Sequence, residues 1–278
     1  MRIYSIDFGG STVDVIHWQE DHIHSITSHE KSKIRLQSSV DFLKFFERST
    51  LDFKQIDRIF VTGGKSHLSP DSFGGVDIIR VNEIEAIGRG GEWLLHSMHL
   101  EGPKEGFLTV SLGTGTCMVL SKNGQRTHVG GTGVGGGTFL SLCRLLLKEK
   151  DPQKVISLFN EGDLRRVDLS VEDIVGRGIG RISSDVTASN LGKLAYGDEI
   201  DFTKADLAAG ITNLIGQTIA TAAVFAALAH KVDTIVLTGK LTRIQPIVDT
   251  ILNVGQLYQR HMILPPQADF VSAIGAKL

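Results

Sequence analysis

The sequence predicts an α/β protein made of two similar halves that face each other across a cleft. The order strand, strand, strand, helix, strand, helix occurs twice along its 278 residues. Each half opens with a strand that runs into a turn of glycines and hydroxyls, Asp7–Thr12 (DFGGST) in one and Gly113–Thr116 (GTGT) in the other. No flexible linker separates the halves. The segment Glu101–Gly106 (EGPKEG) is the best boundary and assigns residues 1–105 to the first half and 106–278 to the second.

In the first half, Arg2–Ile6 is strand-like, Val13–Trp18 alternates, and His22–Thr27 suggests a third short strand. Ser38–Glu47 has helical spacing through Val40, Phe42, Leu43 and Phe46. Arg58–Thr62 (RIFVT) is β-rich and ends in Gly63-Gly64, and Ile78–Val81 is another short strand. Asn82–Met98 then reads as a helix, with Ile84, Ile87, Leu94 and Leu95 on its apolar face. The second half repeats the scheme. Phe107–Leu112 and Cys117–Leu120 are strands, and Asn123-Gly124 is a strong hairpin signal. A helix is expected from Phe139 to Lys148, and a polar helical stretch from Pro152 to about Gly180. A long apolar helix spans Lys204–His230, Thr234–Leu237 is a strand ending in Thr238-Gly239, and helices follow at Gln245–Leu252 and Ala268–Leu278.

Composition narrows the class. An apolar fraction of 41% suits a globular chain with a substantial core. Lys and Arg number 29 against 31 Asp and Glu, a formal charge of −2, so no basic excess argues for a nucleic-acid partner. Cys117 and Cys143 lack metal-type spacing and fit a reducing, cytoplasmic setting. The strand-like N-terminus does not read as a signal peptide. Ile211–Ala229 is apolar enough to imitate a membrane span, but Asn213, Gln217 and three threonines make it a buried helix, so no membrane partner is expected.

Glycine, at 31 residues, is the outlier, and six of the eight residues from Gly130 to Gly137 are glycine. Such a run is costly to order, and it suggests backbone brought close to a phosphate. Three motif matches fail on inspection. Thr62–Ser66 (TGGKS) ends like a Walker A loop, but Ile59 stands where that motif needs its first glycine. Gly131–Gly136 satisfies G-x-G-x-x-G, yet no acid-bearing strand follows it as a dinucleotide site requires. The histidines form no i,i+4 metal pair. What remains is a set of three turns, Asp7–Thr12, Leu112–Thr116 and Thr238-Gly239. Two facing hairpins can grip a nucleotide's phosphates, with the third turn beside the base or ribose.

At these residues the sequence resembles the actin–hexokinase–Hsp70 superfamily, with its two ribonuclease-H-like halves around an ATP cleft. It is most similar to type II pantothenate kinases. The matching segments are IDFGGSTVDVI (6–16), VTGGKS (61–66), VNEIEAIGRG (81–90), SLGTGTCMVL (111–120), VGGTGVGGGTFLSLCRLL (129–146), SSDVTASNLGKL (183–194), IVLTGKL (235–241) and FVSAIGAKL (270–278). The resemblance implies phosphoryl transfer from Mg·ATP to the 4′-hydroxyl of pantothenate, the first step of coenzyme A synthesis, by a cytosolic homodimer.

Carried over residue by residue, the resemblance makes Glu83 the general base, with Glu85 its nearest rival. Asp7 would bind Mg²⁺, directly or through water. The first turn, Asp7, Phe8, Gly9, Gly10, Ser11, Thr12, Val13 and Asp14, would meet the ATP phosphates, and Thr114 and Gly115 the other side. Gly136, Gly137, Thr138, Phe139 and Leu140 would open a helix towards ATP, and Gly239 with Lys240 would lie near the adenosine. Two positions depart from the family pattern. Asp14 stands where the family has a lysine, which leaves Lys65 or Lys240 to supply a cation. His128 aligns with the family's transition-state arginine, and Arg126 lies two residues earlier. These departures keep two alternatives open, a kinase of another small alcohol or sugar and a non-catalytic ATP-binding regulator of the same fold.

Overall fold

A computed structural model describes residues 1–30, 37–48, 56–180, 182–195 and 201–278. The first sheet is built from β1 (Arg2–Phe8), β2 (Thr12–Gln19), β3 (His22–Glu30), β4 (Arg58–Thr62), β5 (Ser72–Phe73) and β6 (Val76–Arg80), with α1 (Ser39–Arg48) between β3 and β4. After β6 comes α2 (Glu83–Ser97). The second sheet begins with β7 (Phe107–Leu112), β8 (Thr116–Lys122) and β9 (Gln125–Thr132). There follow α3 (Gly136–Leu142), α4 (Pro152–Glu161), the short pair β10 (Leu169–Ser170) and β11 (Thr187–Ser189) flanking α5 (Val171–Val175), and the long α6 (Lys204–His230). The sheet is completed by β12 (Thr234–Thr238) and β13 (His261–Ile263), with α7 (Gln245–Leu257) between them and α8 (Val271–Lys277) closing the chain.

Both sheets have one plan. The first runs β3-β2-β1-β4-β6-β5 and the second β13-β12-β7-β8-β9. In each, the opening strand pairs antiparallel with the next and parallel with the strand after the helix: β1 with β2 and β4, β7 with β8 and β12. The repeat extends to detail. Thr62-Gly63 ends β4 and Thr238-Gly239 ends β12, and both glycines have φ of +90°. A side chain at Gly239 would strike the Leu112 backbone at 2.6–2.7 Å, so glycine is required there on two counts. The Walker-like TGGKS is therefore the first-half counterpart of the turn at 238–240.

Two helices tie the sheets together. One face of α2 packs on β7, β8 and β9, and the other on α8. In turn α8, although last in sequence, packs on β1 and β4. Ile3, Ile16, Trp18, Leu94, Val271 and Ile274 form the core between them. In the second half, α6 lies against α4 and α7. Its small residues allow the approach, since a Cβ at Gly216 would sit 2.7 Å from the Thr250 side chain. By length and composition α6 is the one helix among the described residues that would suffice to cross a membrane, and 56% of its apolar window is buried inside the protein.

The elements differ from the sequence expectation mainly between Pro152 and Gly180. A single helical stretch is expected there, but α4 stops at Gly162, whose backbone is extended. Asp163 then caps a short 3-10 turn, and Gly176, at φ +74°, ends α5. The helix expected from Phe139 starts three residues earlier, at Gly136, and finishes in one π turn, Cys143–Leu147. Periodicity gives no sign of β5, β10, β11 or β13, which have two or three residues each.

Candidate active site

A cavity of about 690 Å³ opens between the two sheets. Its lining contains Asp7, Gly9, Gly10, Ser11, Thr12 and Asp14 from the β1–β2 turn, and Thr114 and Gly115 from the β7–β8 turn. Glu83, Gly136, Phe139, Leu140, Gly239 and Lys240 also face it. Thirteen of the seventeen candidate nucleotide positions thus converge on one space, together with the candidate base Glu83; Phe8, Val13, Gly137 and Thr138 are not part of its lining. The side chains of Phe8 and Val13 are buried in the first-half core and anchor the turn from below.

The hairpin turns touch. Ser11 Oγ and Thr114 Oγ1 are 3.1 Å apart. The glycine run after β9 supports the second turn from behind. Gly136 N–H donates to the Gly113 carbonyl at 2.8 Å, and Gly137 N–H to the Thr114 carbonyl at 2.9 Å. Thr138 Oγ1 donates to the Gly133 carbonyl at 3.1 Å. A Cβ at Gly135 would stand 2.7 Å from Gly115, so the close approach needs glycine. The N–H groups of Gly136 and Gly137 therefore hold the turn in shape.

Glu83 owes its place to Asn82. The Asn82 side chain accepts from the N–H groups of Ile84 and Glu85, at 2.8 and 3.4 Å, and so starts α2 with Glu83 as its first residue. The carboxyl is accessible from the cleft, yet the surrounding walls desolvate it and push its pKa above the ordinary glutamate value. Cys117, on β8, lines the same space. Its thiol is pushed up to about 11, first by burial and second by the Glu83 charge.

Arg126 and His128, both on β9, do not line the cavity. Arg126 crosses α2 over Gly88, where a Cβ would meet its Cδ at 2.6 Å. Its guanidinium pairs with Glu92 and, at 3.3 Å, with Glu85. Glu85 is thereby committed to arginine, since Arg89 lies 3.3 Å from it as well. His128 is exposed on the strand.

Of the two lysines expected to supply a cation, Lys240 lines the cavity and Lys65 does not, and Lys240 is paired. Lys240 Nζ lies 2.9 Å from Asp14 Oδ1. Burial lowers the Lys240 pKa, against the opposing pull of Asp14.

Sequence reasoning did not single out Cys117, Thr132, Pro152, Gln153, Leu241, Arg243, Ile244, Asp269 or Ser272 as cavity residues. Cys117 lies in the quoted SLGTGTCMVL segment, and Asp269 immediately precedes FVSAIGAKL. Pro152 and Gln153, at the start of α4, also line the cleft.

Two sheets of one topology, with facing glycine and hydroxyl turns around a cleft, define the actin–hexokinase–Hsp70 fold. Solved structures share the fold. The activator of the 2-hydroxyisocaproyl-CoA dehydratase from Clostridium difficile, with bound ADPNP, aligns with a TM-score of 0.62 at 15% identity, over 99% of this chain and 92% of that one. A ROK family glucokinase from Streptomyces griseus, in complex with glucose and AMPPNP, aligns with a TM-score of 0.57 at 10% identity, over 99% and 98%. The model of the Fumble family matches residues 4–261. A type II pantothenate kinase of Bacillus cereus (strain G9842) is 32% identical over 222 residues, 78% of this chain and 76% of that protein. One from Oceanobacillus iheyensis is 30% identical over 279 residues, 100% of this chain and 99% of that protein. The chain belongs to the Fumble family, that of the type II pantothenate kinases.

Proposed function

We propose that this chain is an ATP-dependent pantothenate kinase, which phosphorylates the 4′-hydroxyl of pantothenate and so begins coenzyme A synthesis. The observation that carries the proposal is the placement of Glu83 in the same cleft as the two touching turns. Glu83 takes the proton of the attacking hydroxyl. The hydroxyl oxygen bonds to the γ-phosphorus as the bond from that phosphorus to the β–γ bridging oxygen breaks, and ADP leaves. Ser11, Thr12 and Thr114 donate hydroxyls to the phosphate oxygens, and Gly9, Gly10 and Gly115 let the backbone approach them. The raised pKa of Glu83 brings it nearer the working pH of a base.

Asp7 suits Mg²⁺. Its Oδ1 rests against Gly63, in a space that any Cβ there would fill. Among the described residues no group of three or more His, Cys, Asp or Glu is arranged to hold a metal. One carboxylate with substrate phosphates and water is a common Mg²⁺ arrangement. Mg²⁺ brought in with ATP offsets charge on the phosphate oxygens.

Arg126 and His128 remain the candidates for the acceptor-side cation only if β9 moves, since both lie outside the cavity and Arg126 is engaged by Glu85 and Glu92. The halves are residues 1–105 and 106–278, with α8 returning to the first. The working form is a cytosolic homodimer. The exposed Phe225 and Leu228 on α6, with Tyr258 beyond α7, suit such a contact.

The test is ADP release with Mg·ATP and pantothenate, run beside Glu83→Gln. Pantothenate-dependent turnover that falls about a hundredfold or more in the variant supports both substrate and base. No turnover with pantothenate overturns the proposal; turnover with another alcohol would redirect it to that acceptor.

A further inference from the structure

Asp14 and Lys240 reach each other from opposite walls of the cleft. Asp14 lies on β2, two residues beyond Thr12 of the first turn. Lys240 follows Gly239 at the end of β12. The 2.9 Å pair is largely buried, with side-chain exposures of 5% for Asp14 and 23% for Lys240. The Asp14 carboxylate is held in place by the hydroxyls of Ser28 and, at 3.3 Å, Thr12. Lys240 Nζ stands 3.7 Å above the centre of the Phe270 ring. It is 3.9 Å from Asp269, which is itself engaged by Arg243.

The ammonium nitrogen is buried against Asp14 and Phe270. It is therefore not placed as a direct phosphate ligand in this arrangement. What the pair does hold is a separation, that between the first hydroxyl turn and the turn at Gly239. On the function proposed above, a nucleotide spans the two, with its phosphates at Ser11 and Thr12 and its base side at Gly239. We propose that Asp14 and Lys240 are positioning residues for the nucleotide: their ion pair pins the phosphate turn of one half to the base-side turn of the other. The pair thereby sets nucleotide affinity and leaves the acceptor site to Glu83 and its neighbours.

A buried pair has a recognisable mutational signature. Removing one partner strands the other charge, whereas removing both does not. The experiment measures Mg·ADP binding by calorimetry, with KM for ATP and for pantothenate, on the full chain. The variants are Asp14→Asn, Lys240→Met, the double neutral Asp14→Asn/Lys240→Met, and Lys240→Arg. Each single neutral variant should weaken ADP binding about ten- to a hundredfold, and the double should be no weaker than the worse single, because the partners act as a unit. Lys240→Arg, which keeps the charge, should retain more affinity than Lys240→Met. The loss should fall on the ATP KM and not on the pantothenate KM. If the single variants fail to fold, the double variant decides, and it should still bind ADP about tenfold more weakly than the parent. Parent-like ADP affinity in the double overturns the inference, as does a loss confined to the pantothenate KM. A parent protein that binds no ADP overturns instead the nucleotide site on which the inference rests.

Discussion

Ser11 Oγ and Thr114 Oγ1 lie 3.1 Å apart, so the glycine turns of the two halves meet although 103 residues separate them in sequence. Gly10 makes this possible. A Cβ there would run into Thr114 Oγ1 and would stand 3.1 Å from the Thr114 Cβ. Gly10→Ala should therefore push the turns apart and spoil the alignment of donors around the phosphates. We expect the KM for ATP to rise and kcat/KM to fall by up to about a hundredfold, a loss that a misplacement near 1 Å can cause. Gly64→Ala is the control, since nothing lies within 4 Å of its Cβ position. Equal ATP KM values for the two variants would mean that the turns do not grip the nucleotide together.

The contact between α2 and α8 should be equally sensitive, but in stability. A Cβ on Gly275 would overlap the Ala86 carbonyl, and one on Gly90 would overlap that of Val271. Both obstacles are backbone, which has little room to yield. Gly275→Ala or Gly90→Ala should cost on the order of 3 kcal/mol by overpacking. In a chain of this size that corresponds to a fall in Tm of roughly 6–10 °C by thermal melt. A change within 1 °C for both variants would show that the helices separate freely.

Much of this fold could be read from the sequence because its repeat is written in strong local signals. The strands β1, β4, β7 and β12 are short apolar runs, and each ends in a glycine turn or a Thr-Gly pair. The first residues of α2 were equally legible, since Asn82 is a good cap and Glu83 follows it. The pairing of Asp14 with Lys240 was not legible. It joins residues 226 positions apart, and charge alone does not say which carboxylate a lysine will meet. The burial of Asp168 is illegible for a related reason. At 3% exposure, Asp168 accepts from the Leu191 N–H at 2.7 Å and the Asn213 side chain at 2.8 Å. Those donors come from distant segments that only the folded chain brings to α6. The partners of Arg126 on α2, Glu85 and Glu92, are not legible either, since a position in a motif does not say which carboxylates its side chain will meet.

Cys117 offers a probe of the electrostatics beside Glu83. With its thiol pushed from 9.0 up to about 11, little thiolate exists near neutral pH. Alkylation by iodoacetamide at pH 8 should run about a hundredfold slower than for a free cysteine, because the thiolate is the reacting species. The Glu83 charge is the second cause of the shift, so Glu83→Gln should lower the thiol pKa and speed the reaction. Cys143, pushed up to about 12 in the core, should react more slowly still. Fast labelling of Cys117 at pH 8, or labelling that ignores Glu83→Gln, would contradict the placement of these two side chains.

Glu83 itself should leave a mark on the pH dependence of both rate and stability. Burial raises its pKa above 4.5, so the carboxylate needed as base is lost as pH falls through that raised value. The acid limb of kcat/KM for pantothenate should therefore turn over above the ordinary glutamate range, and Glu83→Gln should abolish the limb along with most of the turnover. Stability follows the opposite sense. Between the unfolded and the raised folded pKa the native state binds more proton than the unfolded chain, so stability falls as pH rises through that window. At neutral pH the parent carries the full cost of holding a desolvated carboxylate, and the amide of Glu83→Gln does not. The variant should thus melt no lower than the parent at pH 7, and its advantage should shrink as the pH drops below the folded pKa. Catalytic loss together with a retained or higher Tm would mark Glu83 as a residue kept for chemistry at a cost in stability. A variant that melts well below the parent at pH 7 would place Glu83 instead among the residues that hold the first turn of α2 together.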